Sequence, residues 1–96
     1  MNKDRLKGIN IGGLVWEEVQ RGGDITDFHL AIIKNICANE SYIDVIDVST
    51  TGNPEKRYYN FLTAEDMLSR GAKIEDLEKE KAKYKTIINR VIQSTK

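Results

Sequence analysis

Scarcity is the first thing this 96-residue chain shows: one cysteine, one proline, one tryptophan, one histidine, and no net charge, with Lys plus Arg and Asp plus Glu at 15 each. The lone Cys37 excludes an intramolecular disulfide, and no second histidine exists to pair with it as a nucleophile's base. Zero net charge excludes a global field that would draw the chain to nucleic acid or an anionic membrane, so any basic footprint must be local. No apolar run approaches the roughly 18 residues that span a bilayer. Met1-Asn2-Lys3-Asp4-Arg5 leads into no apolar signal core, and the expected location is a reducing cytoplasm.

What is present is globular: 40% hydrophobic and 31% charged residues, without the composition of a disordered chain. A chain of this length forms one domain and buries a little over 60% of its unfolded surface, so a second subunit would help it. Near the C-terminus Ile74, Leu77, Lys81, Tyr84, Ile88 and Val91 recur at spacings of three and four. This is the repeat that presents one helical seam, and it predicts a helix over 74–92 that pairs with another copy. Lys81 is the one polar member, placed to set register or oligomeric state.

In chain order, residues 1–12 read as a flexible start. Ile11, Leu14, Val15 and Val19 predict a short helix over 13–21, stopped by Gly22-Gly23. Asp24 or Thr26 can cap a second helix over 25–39, whose Phe28, Leu30, Ile32, Ile33, Ile36 and Cys37 make a wide apolar face. The stretches 41–48 (SYIDVIDV) and 57–61 (RYYNF) read as strands around a polar loop with Gly52 and Pro54. Thr63 with Asp66 forms a variant capping box for a short helix, and a joint is expected over 70–72, at Gly71.

No set of acid, base and nucleophile converges, and no metal ligands stand at ligand spacing, so the reading is non-enzymatic, without cofactor or metal. His29 and Cys37 read as packed core groups. Asp44 and Asp47, at odd spacing in a strand, point to opposite faces. Gly12-Gly13 and Gly22-Gly23 match no phosphate-binding loop. The most suggestive patch is Lys56-Arg57-Tyr58-Tyr59, two cations beside two aromatics, suited to phosphates and stacked bases.

Helix, tight turn, helix, strand, loop, strand and long helix is a layout that resembles winged-helix proteins from the helix-turn-helix onward. Lys56-Arg-Tyr-Tyr-Asn-Phe-Leu-Thr-Ala-Glu resembles the second wing strand and following cap of small bacterial winged-helix regulators. The resemblance implies an α+β fold: a helix-turn-helix core over 13–62 with a two-stranded wing, and a dimerising helical region over 63–96. It implies a homodimer that binds double-stranded DNA as a repressor or a plasmid or phage segregation adaptor. Thr26, Lys34 and Asn35 would lie on the reading helix, and Thr50, Thr51, Asn53, Lys56, Arg57 and Tyr58 on the wing. The alternative is a phage or mobile-element protein that binds a host protein or sequesters a small ligand.

Overall fold

The computed structural model describes Leu6 and residues 8–94. Strands come first: β1 (Leu14–Gly22), β2 (Ile25–Cys37), β3 (Tyr42–Asp47) and β4 (Glu55–Tyr58), followed by helices α1 (Ala64–Ser69), α2 (Ile74–Lys83) and α3 (Lys85–Ser94). The strands form one antiparallel sheet in the order β1-β2-β3-β4. This corrects the helix-turn-helix with a wing. The stretches expected as helices over 13–21 and 25–39 are the two arms of one long hairpin, in register from Leu14 opposite Ile32 to Gln20 opposite Thr26, with a one-residue irregularity before Gly22 opposite Ile25. Of the glycine pair expected to stop a helix, Gly22 ends β1 and Gly23, at φ +57°, opens the hairpin turn with Asp24.

The reason lies in β2, which is buried on both sides. Ala31 and Ile33 pack with Val15, Ile43, Val45, Tyr58 and Phe61 on one face. Leu30 and Ile32 pack with Trp16, Val48, Ile88 and Val91 on the other. A strand covered on both faces shows a continuous apolar run rather than alternation. An irregularity between Ile33 and Asn35 in the pairing of β2 with β3 then shifts the phase by one residue, so that Ile33 and Ile36 share a face. Spacings of three and four arise there without a helix.

After β4 the chain crosses to the far edge of the sheet. Trp16 and Leu62 exchange backbone hydrogen bonds, Trp16 N–H to Leu62 at 2.9 Å and Leu62 N–H to Trp16 at 2.7 Å. The sheet is thereby rolled into a partly closed barrel joined at one point, with the Val15 cluster inside and the Trp16 cluster outside, under the helices.

The helical end follows its local signals in part. Thr63 Oγ1 accepts from the Asp66 N–H at 3.2 Å, and the Asp66 carboxylate accepts from the Thr63 N–H at 2.9 Å. That is the expected capping box. Gly71 at φ +101° ends the turn after α1, at the expected joint. The single helix expected over 74–92 is instead divided at Tyr84, whose backbone takes φ −104° and ψ 18°. The division lets the two halves do different things: α2 buries no residue fully, whereas α3 buries Ile88 and Val91 against the sheet.

Burial of each of these two side chains is worth about 1.5–3 kcal/mol. Leu77, Tyr84 and Ile87 pack against the same cluster, so most of the seam expected to meet a second copy covers this chain's own sheet. Of that seam Ile74 stays 57% exposed, and Lys81 is exposed beside it, lining a groove of about 220 Å³ with Leu77 and Trp16. Gly12 makes the close approach of α3 possible. It is buried at φ +88°, and a Cβ there would meet Ile92 Cγ1 at 2.6 Å. Its N–H donates to the Ile33 carbonyl at 2.8 Å, so the described end of the expected flexible start is tied to β2; the rest of 1–7, apart from the buried Leu6, lies outside the described residues. Among the described residues no helix is long and apolar enough to cross a membrane.

Candidate binding cleft at the open seam of the sheet

Successive backbone groups of a strand point alternately to its two sides. Trp16 points its N–H and C=O at Leu62, so Glu18 and Gln20, two and four residues on, point theirs the same way, outward from the sheet. No loop, turn or cap among the described residues bonds to them. Antiparallel pairing begun at Trp16 and Leu62 would continue with Glu18 opposite Asn60, but the chain bends away at Tyr59 and Asn60. A cleft of about 780 Å³ opens between them, lined by Glu17, Glu18 and Gln20 on one side and Arg57, Tyr58, Tyr59, Asn60, Phe61 and Leu62 on the other.

Two residues that line the cleft carry polar groups without hydrogen-bond partners among the described residues, although the charge of one of them, Glu17, acts on Lys56. Tyr58 is only 2% exposed, and its hydroxyl is buried with no hydrogen-bond partner. Burial, and after it the negative charges of Glu17 and Asp47, push that hydroxyl far above the ordinary tyrosine value. Glu17 alternates with Val15 on the inward face, across from His29, and makes no ion pair or hydrogen bond among the described residues. Its neighbour Glu18 faces outward and is held by Arg70 at 3.2 Å.

The floor of the adjoining loop is Asp47, fully buried. Its carboxylate accepts from Lys56 Nζ at 2.8 Å, from the Ser49 N–H at 3.0 Å, from the Ser49 hydroxyl and from Thr50 Oγ1 at 3.0 Å. Burial pushes this carboxyl up, but the hydrogen bonds from Lys56, Ser49 and Thr50 outweigh it and hold it at about 2. The same contact raises Lys56, its bond to Asp47 exceeding the opposing effect of burial.

The residues expected to touch DNA are scattered by the new topology. Thr26 sits beside the β1–β2 turn, opposite Gln20. Lys34 lies at the irregularity in β2 and pairs with Glu55, and Asn35 is exposed opposite Asp44. Thr50, Thr51 and Asn53 form the exposed β3–β4 loop, Asn53 at φ +49° with its N–H on the Thr50 carbonyl. Lys56 and Arg57 stand on opposite faces of β4, because neighbours in a strand alternate. Tyr58 follows Lys56 inward, buried rather than exposed.

Arg57 bonds Asp44 at 3.2 Å and lies 3.9 Å over the Tyr42 ring, whose centroid is 5.7 Å from that of Tyr59. Lys34, Lys56 and Arg57 therefore each face a carboxylate. Comparison with protein-family models, with curated proteins and with solved structures finds no match for this chain.

Glu17, Gln20 and Asn60 carried no motif. What unites them is the Trp16–Leu62 pairing, a contact between residues 46 apart in the chain, and no local spacing announces it.

Proposed function

We propose that this chain is a non-enzymatic binding module that takes up an extended segment of a partner protein along the outer edge of β1. The observation that carries this reading is the incomplete seam: the edge accepts one residue of an antiparallel strand at Leu62 and then presents the free backbone groups of Glu18 and Gln20 to a cleft. An open strand edge is a template for a further strand. Main-chain hydrogen bonds give such a complex its affinity, and alternate side chains give it specificity.

Double-stranded or single-stranded nucleic acid is the second reading, favoured by the stack of Arg57, Tyr42 and Tyr59, a surface on which bases can lie. It ranks second because each cation of the patch already has a carboxylate partner, and because no helix stands where one was to enter the major groove.

The test is selection from a random library of acetylated, amidated heptapeptides, followed by amide NMR. Captured peptides should shift and protect the Glu18 and Gln20 amides. Glu18→Pro, which removes an outward donor that β2 does not use, should abolish capture while the chain stays folded. Capture of no peptide, or shifts confined to other amides, would refute strand uptake, and affinity for random duplex at low salt would then favour the second reading.

A further inference from the structure

Along α2 an apolar surface is left without cover. The helix buries no residue fully, and its Ile74 is 57% exposed, with Leu68 of α1 at 39%. Both line the groove of about 220 Å³, in which Leu14, Trp16 and Leu77 lie deeper and the exposed Glu78 and Lys81 stand at the rim. Neither rim side chain makes an ion pair or a side-chain hydrogen bond among the described residues.

The charges of α2 say what fits there. Its first turn is acidic, with Glu75 and Asp76, and its last is basic, with Lys81 and Lys83. A second α2 laid antiparallel brings each acidic end against the other's basic end, whereas a parallel one sets like against like. Antiparallel packing about a twofold axis is also the isologous contact, in which one patch meets its own copy. With that axis beside Leu77 and Glu78, the middle of the face that lines the groove, Ile74 of each copy comes over the methylene stem of the partner's Lys81. The ammonium of that lysine then lies one helical turn from Glu78 of the opposing copy.

We propose that this chain forms a twofold dimer through α2, in which Ile74 enters the partner's groove and Lys81 pairs with Glu78 of the partner subunit. The dimer is independent of strand uptake, since the groove and the cleft beside β1 share no lining residue. Two helices of 10 residues each, about 15 Å long, give an interface at the small end of the range. The dimer is therefore reversible, populated at about 100 µM and dissociated near about 1 µM.

Sedimentation velocity of the full chain reads this directly, and the wild type should pass from monomer to dimer over that range. Ile74→Glu, at a position exposed enough to leave the fold and its Trp16 fluorescence intact, should remain monomeric throughout. Lys81→Glu and Glu78→Lys should each weaken the dimer about tenfold, because two ion pairs become two repulsions. Mixing the two variants should restore association, since in the heterodimer both facing pairs are again opposite in charge.

A wild type still monomeric at about 1 mM, or a dimer indifferent to Ile74→Glu, would overturn the proposal. A dimer lost on Glu18→Pro instead would place the second copy at the edge of β1 and overturn it equally. If the two charge variants associate no better mixed than alone, the antiparallel pairing of Lys81 with Glu78 is wrong and the proposal falls with it.

Discussion

Asp47 is where acid should first weaken this fold. Its carboxyl titrates at about 2 in the folded chain, against an ordinary value of 3.8. At about 1.4 kcal/mol per pH unit, that difference is worth about 2 kcal/mol of stability. Because the folded value is the depressed one, the contribution is complete above 3.8 and is lost as the pH falls toward the folded value of about 2. Asp47→Asn keeps the shape but removes the charge that Lys56, Ser49 and Thr50 share. Lys56 is half-exposed and can turn to water, so the variant loses the network without stranding a buried cation.

Urea unfolding followed by fluorescence of the buried Trp16 measures both proteins across this range. Near neutral pH the variant should be less stable by about 2 kcal/mol or somewhat more, and the gap should narrow to under about 1 kcal/mol near pH 2. Taking the difference between the two proteins removes the acid response of every other carboxylate. Parallel stability curves over that range would show that Asp47 gains nothing from its ionised form, and the account of the loop floor would be wrong.

Two further perturbations address packing. Gly12→Ala and Gly52→Ala both impose a left-handed backbone on alanine, at φ +88° and +84°, but only the first brings a Cβ against α3. Both should cost about 1–2 kcal/mol for the backbone, and Gly12→Ala should cost measurably more in thermal unfolding; equal losses would mean that α3 does not rest on Gly12. Ile88→Ala should cost about 2–5 kcal/mol by the same amount at every protein concentration, since Ile88 covers the chain's own sheet. A loss that shrinks on dilution, with sedimentation showing dissociation, would instead place Ile88 between two copies.

The parts of the fold that were legible in the sequence are those specified by neighbours. Thr63 and Asp66 stand three residues apart and cap α1. Gly71 ends the joint, and the β-branched run of β3 with its turn-rich loop reads as half of a hairpin. The long β1–β2 hairpin was hidden because burial on both faces erases the alternation by which a strand is recognised. Leu30, Ala31, Ile32 and Ile33 are all buried in sequence, a run that a helix wheel can absorb as well as a strand can. The cleft was hidden more deeply, since Glu18 and Gln20, surface residues by type, acquire meaning only from the seam that the roll of the sheet leaves open beside them.

The C-terminal repeat shows that a helical seam does not by itself name the surface that covers it. Spacings of three and four say that one face of a helix must be covered, and the hydrophobic effect that enforces the covering is indifferent to which surface supplies it. Here an apolar sheet face was available within the chain, because Trp16, Leu30 and Ile32 project outward from the barrel and need a roof of their own. Two surfaces that each require cover, joined by a short turn at Gly71 and a division at Tyr84, meet at far higher effective concentration than two separate copies can. That arrangement takes up Ile88 and Val91 while Ile74 stays exposed, and it leaves the seam beyond Leu62 as an unfinished edge of the sheet, which is why the proposed partner segment is placed along β1.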